Sequence, residues 1–159
     1  MQSHHLRVSK ASRRLELWER DAVIRTFPVV LGPQPVGDKA VEGDGRTPEG
    51  TFYVCTRNAE SRFHRFLGLS YPDARAAARG LREGLISDDQ GTAILEACAR
   101  GTRPPWDTAL GGQIGIHGHG PRFAEAGRDW TQGCIALSDA DMECLWEACP
   151  LGTGVIIEP

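Results

Sequence analysis

Over the first thirty residues, short β-forming runs alternate with polar turns. Leu6-Arg7-Val8, the stretch 14–19 and the stretch 23–30 are rich in β-formers. The middle run, Arg14-Leu15-Glu16-Leu17-Trp18-Glu19, alternates charged and apolar residues. A period of two places one set of side chains on a core face and the other toward water, so the run reads as a half-buried strand. Glu19-Arg20-Asp21-Ala22 supplies the hairpin turn. Residues 32–50 are dominated by Gly, Pro and Asp and predict a long loop. Thr51-Phe52-Tyr53-Val54-Cys55 and Arg65-Phe66-Leu67-Gly68-Leu69-Ser70-Tyr71 predict two more strands, the second ended by Pro72.

The period then changes. Residues 73–82 are rich in Ala and Arg, with Asp73 placed as an N-cap. Ser87 is placed to cap a second helix over 88–100, where Ile94, Leu95 and Cys98 are expected to share a face and Gly101 to stop the helix. Residues 73–100 read as a helical insertion packed on a β framework, too short for a core of their own. Residues 113–117 predict a short strand, 118–133 a Gly-rich polar loop and 138–148 a third helix. There Ser138 and Asp141 have capping-box spacing. Val155-Ile156-Ile157 predicts a closing strand. The expectation is one domain over residues 1–159, mainly β with two or three short helices.

Composition narrows the function. Hydrophobic residues make up 40% and charged residues 25% of 159, an ordinary globular balance. A net charge of -3 argues against a nucleic-acid partner. No apolar run is long enough for a transmembrane segment. The N-terminus, Met1-Gln2-Ser3-His4-His5-Leu6-Arg7, has no apolar stretch of signal-peptide type. The five cysteines form no C-x-x-C pair, which argues against a zinc ribbon or a thioredoxin-type site. Cys98, Cys144 and Cys149 read as structural.

Cys134 differs from the other four. Gly133 before it lets the backbone turn sharply and approach a ligand. His117 ends a predicted strand seventeen residues earlier, where Ile114 and Ile116 would point into the core and His117 the other way, toward solvent. A thiol attacks as thiolate, and a neighbouring imidazole is the usual means of making one. Backbone amides at the Gly133-Cys134 turn would hold a developing oxyanion. The alternative reading of His117, His119 and Cys134 as metal ligands lacks an evident fourth ligand, so no metal and no cofactor are expected. Trp130 and Trp106 read as packing residues that hold the loop.

Three segments in order carry a resemblance. Gly43-Asp44-Gly45-Arg46-Thr47-Pro48-Glu49-Gly50-Thr51-Phe52, Ile116-His117-Gly118 and Asp129-Trp130-Thr131-Gln132-Gly133-Cys134-Ile135-Ala136-Leu137 together resemble the bacterial L,D-transpeptidase catalytic domain, or YkuD domain. Gly152-Thr153-Gly154-Val155 also fits. The stretch 58–71, with Ser61, Phe63, His64 and Tyr71-Pro72, is similar to the YafK-like branch. The resemblance implies a β-sandwich-like fold with a cleft holding the cysteine, and peptidoglycan stem peptides as partners. It implies that Cys134 attacks a stem-peptide carbonyl with His117 as base, and that Gly133, Thr131 and Gln132 shape the nucleophile loop. It also implies periplasmic or cell-envelope chemistry in wall crosslinking, remodelling and cell shape, and carbapenem sensitivity. An L,D-carboxypeptidase or amidase on the same scaffold is the hydrolytic alternative, and a non-catalytic wall-binding module the third.

The chain departs from the family pattern at Gln132, where many members have His, and at Ala136, where many have Arg or Asn. Candidates to contact substrate instead are Arg46, Arg122, Arg128, His119, Gly118 and His64. The acyl acceptor and the oligomeric state have no signature in the sequence.

Overall fold

A computed structural model describes residues 4–125 and 127–159. Met1-Gln2-Ser3, part of the stretch read for an export signal, and Ala126 of the 118–133 loop lie outside the described residues. Among the described residues, eight strands form one sheet: β1 (His4–Ser9), β2 (Arg14–Glu19), β3 (Ala22–Pro28), β4 (Gly50–Ser61), β5 (His64–Leu69), β6 (Gly115–His117), β7 (Ile135–Ala136) and β8 (Gly154–Glu158). Their order is β3-β2-β1-β8-β4-β5-β6-β7. Three helices accompany them: α1 (Ala74–Arg82), α2 (Asp88–Arg100) and α3 (Asp139–Ala148).

The sheet curls until its two ends meet. Val30, just past β3, exchanges both backbone hydrogen bonds with Ala136 of β7, at 2.9 and 3.0 Å. Residues of both halves of the sheet therefore share one interior, as a sandwich-like fold requires. The alternation in β2 is realised: Leu15 and Leu17 are buried and the charged positions are not. The closing strand β8 lies in mid-sheet, parallel to β1 and antiparallel to β4, with Val155 and Ile157 in the core.

Both helix caps expected in the insertion are present. Asp73 accepts from the Ala76 amide, and Ser87 and Gln90 form a reciprocal capping box. Gly101 ends α2 in the left-handed region at φ 68°. Ala76, Ala77 and Ile94 join the common core. The expected face of α2 is corrected, because Leu95 is 48% exposed. Gly91, Ile94 and Ala97, at spacing three, are its buried positions.

Two β-rich expectations are revised. β3 ends at Pro28, and Val23 and Ile24 on it are 42% and 45% exposed. β4 runs six residues past Cys55 because its polar end pairs with β5 around two register shifts. That end has no apolar alternation, so periodicity alone does not reveal it. Within the 118–133 loop, Gly120–Glu125 forms a 3₁₀ turn.

Candidate active site

Cys134 and His117 are positioned by the short parallel pair β6 and β7. Ile116 registers with Ile135, and His117 with Ala136. Cys134 is two residues before Ala136, so an extended chain returns it to the face that Ala136 shares with His117. Cys134 and His117 accordingly line the same cleft, a cavity of about 440 Å³. Gly115, two residues before His117, has no side chain to obstruct that face. A Cβ there would stand 2.4 Å from the Phe66 ring.

His117 is only 3% exposed, which corrects the expectation that it reaches solvent. Aromatic rings cover it: Phe63 stacks at 4.9 Å, Phe66 at 6.1 Å and Trp130 tilts at 5.8 Å. Its Nδ1 lies 2.7 Å from the Gly118 carbonyl oxygen. A carbonyl only accepts, so Nδ1 carries the proton, and in the neutral ring Nε2 is left as the basic nitrogen. Burial pushes the His117 pKa below its ordinary value, against the Gly118 hydrogen bond that raises it. Half-buried Cys134 donates its thiol to the Gln113 carbonyl at 3.4 Å. Desolvation pushes that thiol up to about 11, opposed by the Gly115 backbone and the charge of Lys39. The resting pair is therefore a thiol and a neutral imidazole.

The loop carrying Cys134 is tied from several sides. The Thr131 hydroxyl donates to the Cys134 carbonyl at 2.7 Å and accepts from the Gly133 amide at 3.2 Å. The Gly133 N–H is thereby engaged within the loop. Gly133 itself adopts φ 127°, and a Cβ there would meet the Arg46 carbonyl oxygen at 2.7 Å. Thr47 donates its hydroxyl to the Gly133 carbonyl at 2.7 Å. Asp129 accepts from the Leu31 amide at 2.9 Å and pairs with Arg13 at 2.7 Å. The Gly43-to-Gly50 and Asp129-to-Leu137 motifs are thus two halves of one bonded unit.

The remaining candidates are dispersed. Gln132 and Arg122 line the cleft, and Arg122 lies 4.7 Å over the Trp130 ring while pairing with Glu125. His119 is buried and accepts from Trp130 Nε1 at 2.9 Å, so it holds the ring that packs on His117. It borders a separate cavity beside Asp129 and Ala136. His64 pairs with Glu143 of α3 at 2.5 Å, away from the residues that line the cleft. Gly118 packs against α3, where a Cβ would stand 2.2 Å from Asp139 Oδ1. The Arg46 side chain lies along Gly37, and Arg128 is exposed; neither lines the cleft. Trp106 covers Gly112, where a Cβ would approach it to 2.5 Å.

Two charged lining residues, Lys39 and Arg62, are absent from the sequence candidates. Lys39 lies in a segment whose composition announces only loop. Arg62 follows Ser61 at the β4–β5 turn, in the polar end that periodicity misses. Among the described residues, no group of three His, Cys, Asp or Glu is arranged to hold a metal ion.

The fold, a curled mainly-β sheet with three short helices, is matched by solved L,D-transpeptidase structures. One from Xylanimonas cellulosilytica is 17% identical at TM-score 0.57, covering 99% of this chain and 61% of that one. The helical cell shape determining protein Pgp2 from Campylobacter jejuni is 19% identical at TM-score 0.66, covering 98% and 47%. The L,D-transpeptidase LdtMt1 in complex with imipenem is 15% identical at TM-score 0.55, covering 99% and 59%. At these identities the likeness is one of fold. The sequence model of the YkuD L,D-transpeptidase catalytic domain matches residues 3–157, and the chain belongs to that family. No curated protein matches it. The chain spans about half the length of Pgp2. Among the described residues, no helix is long and apolar enough to cross a membrane.

Proposed function

We propose that this chain is a cysteine acyltransferase of the L,D-transpeptidase type, acting on peptidoglycan stem peptides in the cell envelope. The observation that carries the reading is the shared cleft of Cys134 and His117, with His117 Nδ1 committed to the Gly118 carbonyl. The Cys134 proton passes to His117 Nε2 as sulfur attacks the donor carbonyl. The carbonyl carbon–nitrogen bond then breaks, and the departing amine takes that proton from the imidazolium, leaving a thioester. A second amine, or water, attacks the thioester and its proton returns through His117 to the thiolate. Because the resting pair is neutral, proton transfer belongs to the attack itself.

Family membership supports the reaction class, and the LdtMt1 complex with imipenem supports a β-lactam as an acylating probe. Mass spectrometry after carbapenem addition is expected to show one covalent adduct on Cys134, lost in Cys134→Ala. An unmodified wild-type protein overturns the reading. His117→Gln is expected to slow acylation by at least about a hundredfold. Tetrapeptide stems incubated with and without an acceptor amine separate transfer from hydrolysis.

A further inference from the structure

The turn between β1 and β2 carries two residues that a plain hairpin does not need. Lys10 is 2% exposed, although a buried ammonium is costly unless its donors are met. Its three N–H donors are all spent on the loop before β4: on the Gly37 and Thr47 carbonyls at 2.8 Å each and on Glu49 at 3.1 Å. Arg13 adopts φ 54°, a left-handed conformation that favours Gly or Asn. Its guanidinium reaches a different segment, donating to the two Asp129 carboxylate oxygens at 3.1 and 2.7 Å. A further guanidinium N–H donates to the Lys10 carbonyl.

These contacts close a ring. Lys10 holds the Thr47 carbonyl, and the Thr47 hydroxyl holds the Gly133 carbonyl. The Gly133 amide donates to the Thr131 hydroxyl, the Thr131 amide to the Leu31 carbonyl at 3.1 Å, and the Leu31 amide to Asp129. Asp129 leads back to Arg13, and Arg13 to Lys10. The loop carrying Cys134 forms the far side of this ring, so one turn grips it at both the Asp129 end and the Gly133 end. Neither Lys10 nor Arg13 lines the Cys134 cleft.

We infer that Lys10 and Arg13 are positioning residues that fix where Cys134 stands for acylation, Lys10 through Thr47 and Arg13 through Asp129. Attack on a bound carbonyl tolerates little displacement of the nucleophile. Alkylation by a small freely diffusing reagent makes no such demand, so the two residues separate acylation from thiol reactivity. Their role in acylation rests on the function proposed above; their grip on the loop does not.

The Arg13 side chain is 35% exposed, so its replacement is compatible with folding even if Lys10→Met is not. Arg13→Gln is expected to slow the limiting rate of carbapenem acylation by at least about tenfold. The half-saturating carbapenem concentration and the rate of Cys134 alkylation by iodoacetamide are expected to stay unchanged. Lys10→Met is expected to show the same signature. Arg13→Lys, which keeps the charge without the two-pronged pairing, is expected to restore part of the rate. Arg13→Gln combined with Thr47→Val is expected to lose well short of the product of the two single losses, because both cut one ring. Hydrogen–deuterium exchange of peptides spanning Asp129 to Ile135 is expected to quicken in Arg13→Gln. An unchanged acylation rate in Arg13→Gln overturns the inference. A rise in alkylation that matches the fall in acylation also overturns it, since the loop would then merely have opened to solvent. Unchanged exchange overturns the grip whether or not carbapenem reacts. A wild-type protein left unmodified by carbapenem sinks the proposed reaction, and exchange then decides the grip alone.

Discussion

The Thr47 hydroxyl donates a 2.7 Å hydrogen bond to the carbonyl of Gly133, the residue before the candidate nucleophile, across 86 positions of sequence. Thr47 is fully buried, so neither group has water as an alternative partner. Thr47→Val keeps the shape and removes the donor. Leaving the buried carbonyl unsatisfied is expected to cost about 1–3 kcal/mol of stability in chemical denaturation. Cys134 acylation is expected to slow as well, because the loop loses its anchor. Stability equal to the unaltered protein would show that the contact does not fix the loop.

Trp130 is held in a similar way. Its indole N–H donates to His119 Nδ1 at 2.9 Å, while its ring packs on both His117 and Phe63. His119→Leu removes the acceptor and is expected to destabilise by about 1 kcal/mol and to shift the Trp130 fluorescence. Adding Trp130→Phe removes the stranded donor, so the double variant is expected to recover much of that loss. Full additivity of the two changes would count against the bond as a positioning contact for the His117 roof.

Local chemistry announces most elements of this fold. Asp73, Ser87 and Gly101 are punctuation that acts within one helical turn, and the period of two in β2 needs no distant partner. Cys134, His117 and the Gly133 turn were legible for the same reason: residue type and short spacing carry their chemistry. The surroundings were not legible, because they are made by contacts between distant segments. Nothing in the sequence around Lys39 announces that it lines the same cleft as Cys134, because the curl of the sheet brings the two segments together. The aromatic cover over His117 likewise joins Phe63 and Phe66 to Trp130, two segments brought together by the β5–β6 pairing. His64 and Arg46 are polar and lie in or beside motifs, yet α3 and Gly37 engage their side chains.

Gly118 belongs to the Ile116-His117-Gly118 motif, but its constraint comes from α3. A Cβ would stand 2.2 Å from Asp139 Oδ1, 3.1 Å from His64 Cβ and 3.1 Å from the Phe63 carbonyl oxygen. Asp139 also accepts from the Gly120 amide at 3.1 Å, so it cannot retreat without loosening the 3₁₀ turn. Gly118→Ala is expected to cost about 1–3 kcal/mol by overpacking. Asp139→Gly in the same chain is expected to return part of that loss, measured as a non-additive double-mutant cycle. A Gly118→Ala protein as stable as the parent would remove the steric account and reopen a substrate role for this position.

The neutral Cys134–His117 pair makes a specific demand on pH dependence. Burial raises the thiol to about 11 and lowers His117 below its ordinary value. Alkylation of Cys134 by neutral iodoacetamide requires thiolate, so its rate is expected to climb through neutral pH and keep climbing toward pH 11. A thiolate–imidazolium pair would instead level off at acidic or neutral pH. Donor acylation requires His117 unprotonated, so its acid limb is expected below the ordinary imidazole value. The fold should show the same sign. His117 and His119 both have lowered pKa values, chiefly from burial, so the unfolded chain binds protons first as pH falls. Their contribution to stability is present above the ordinary imidazole value and lost as pH falls through the folded values. Chemical denaturation across pH 4–8 and an iodoacetamide profile across pH 6–11 measure the two limbs. An alkylation plateau below pH 8 would show that the cysteine rests as thiolate and that proton transfer precedes substrate attack.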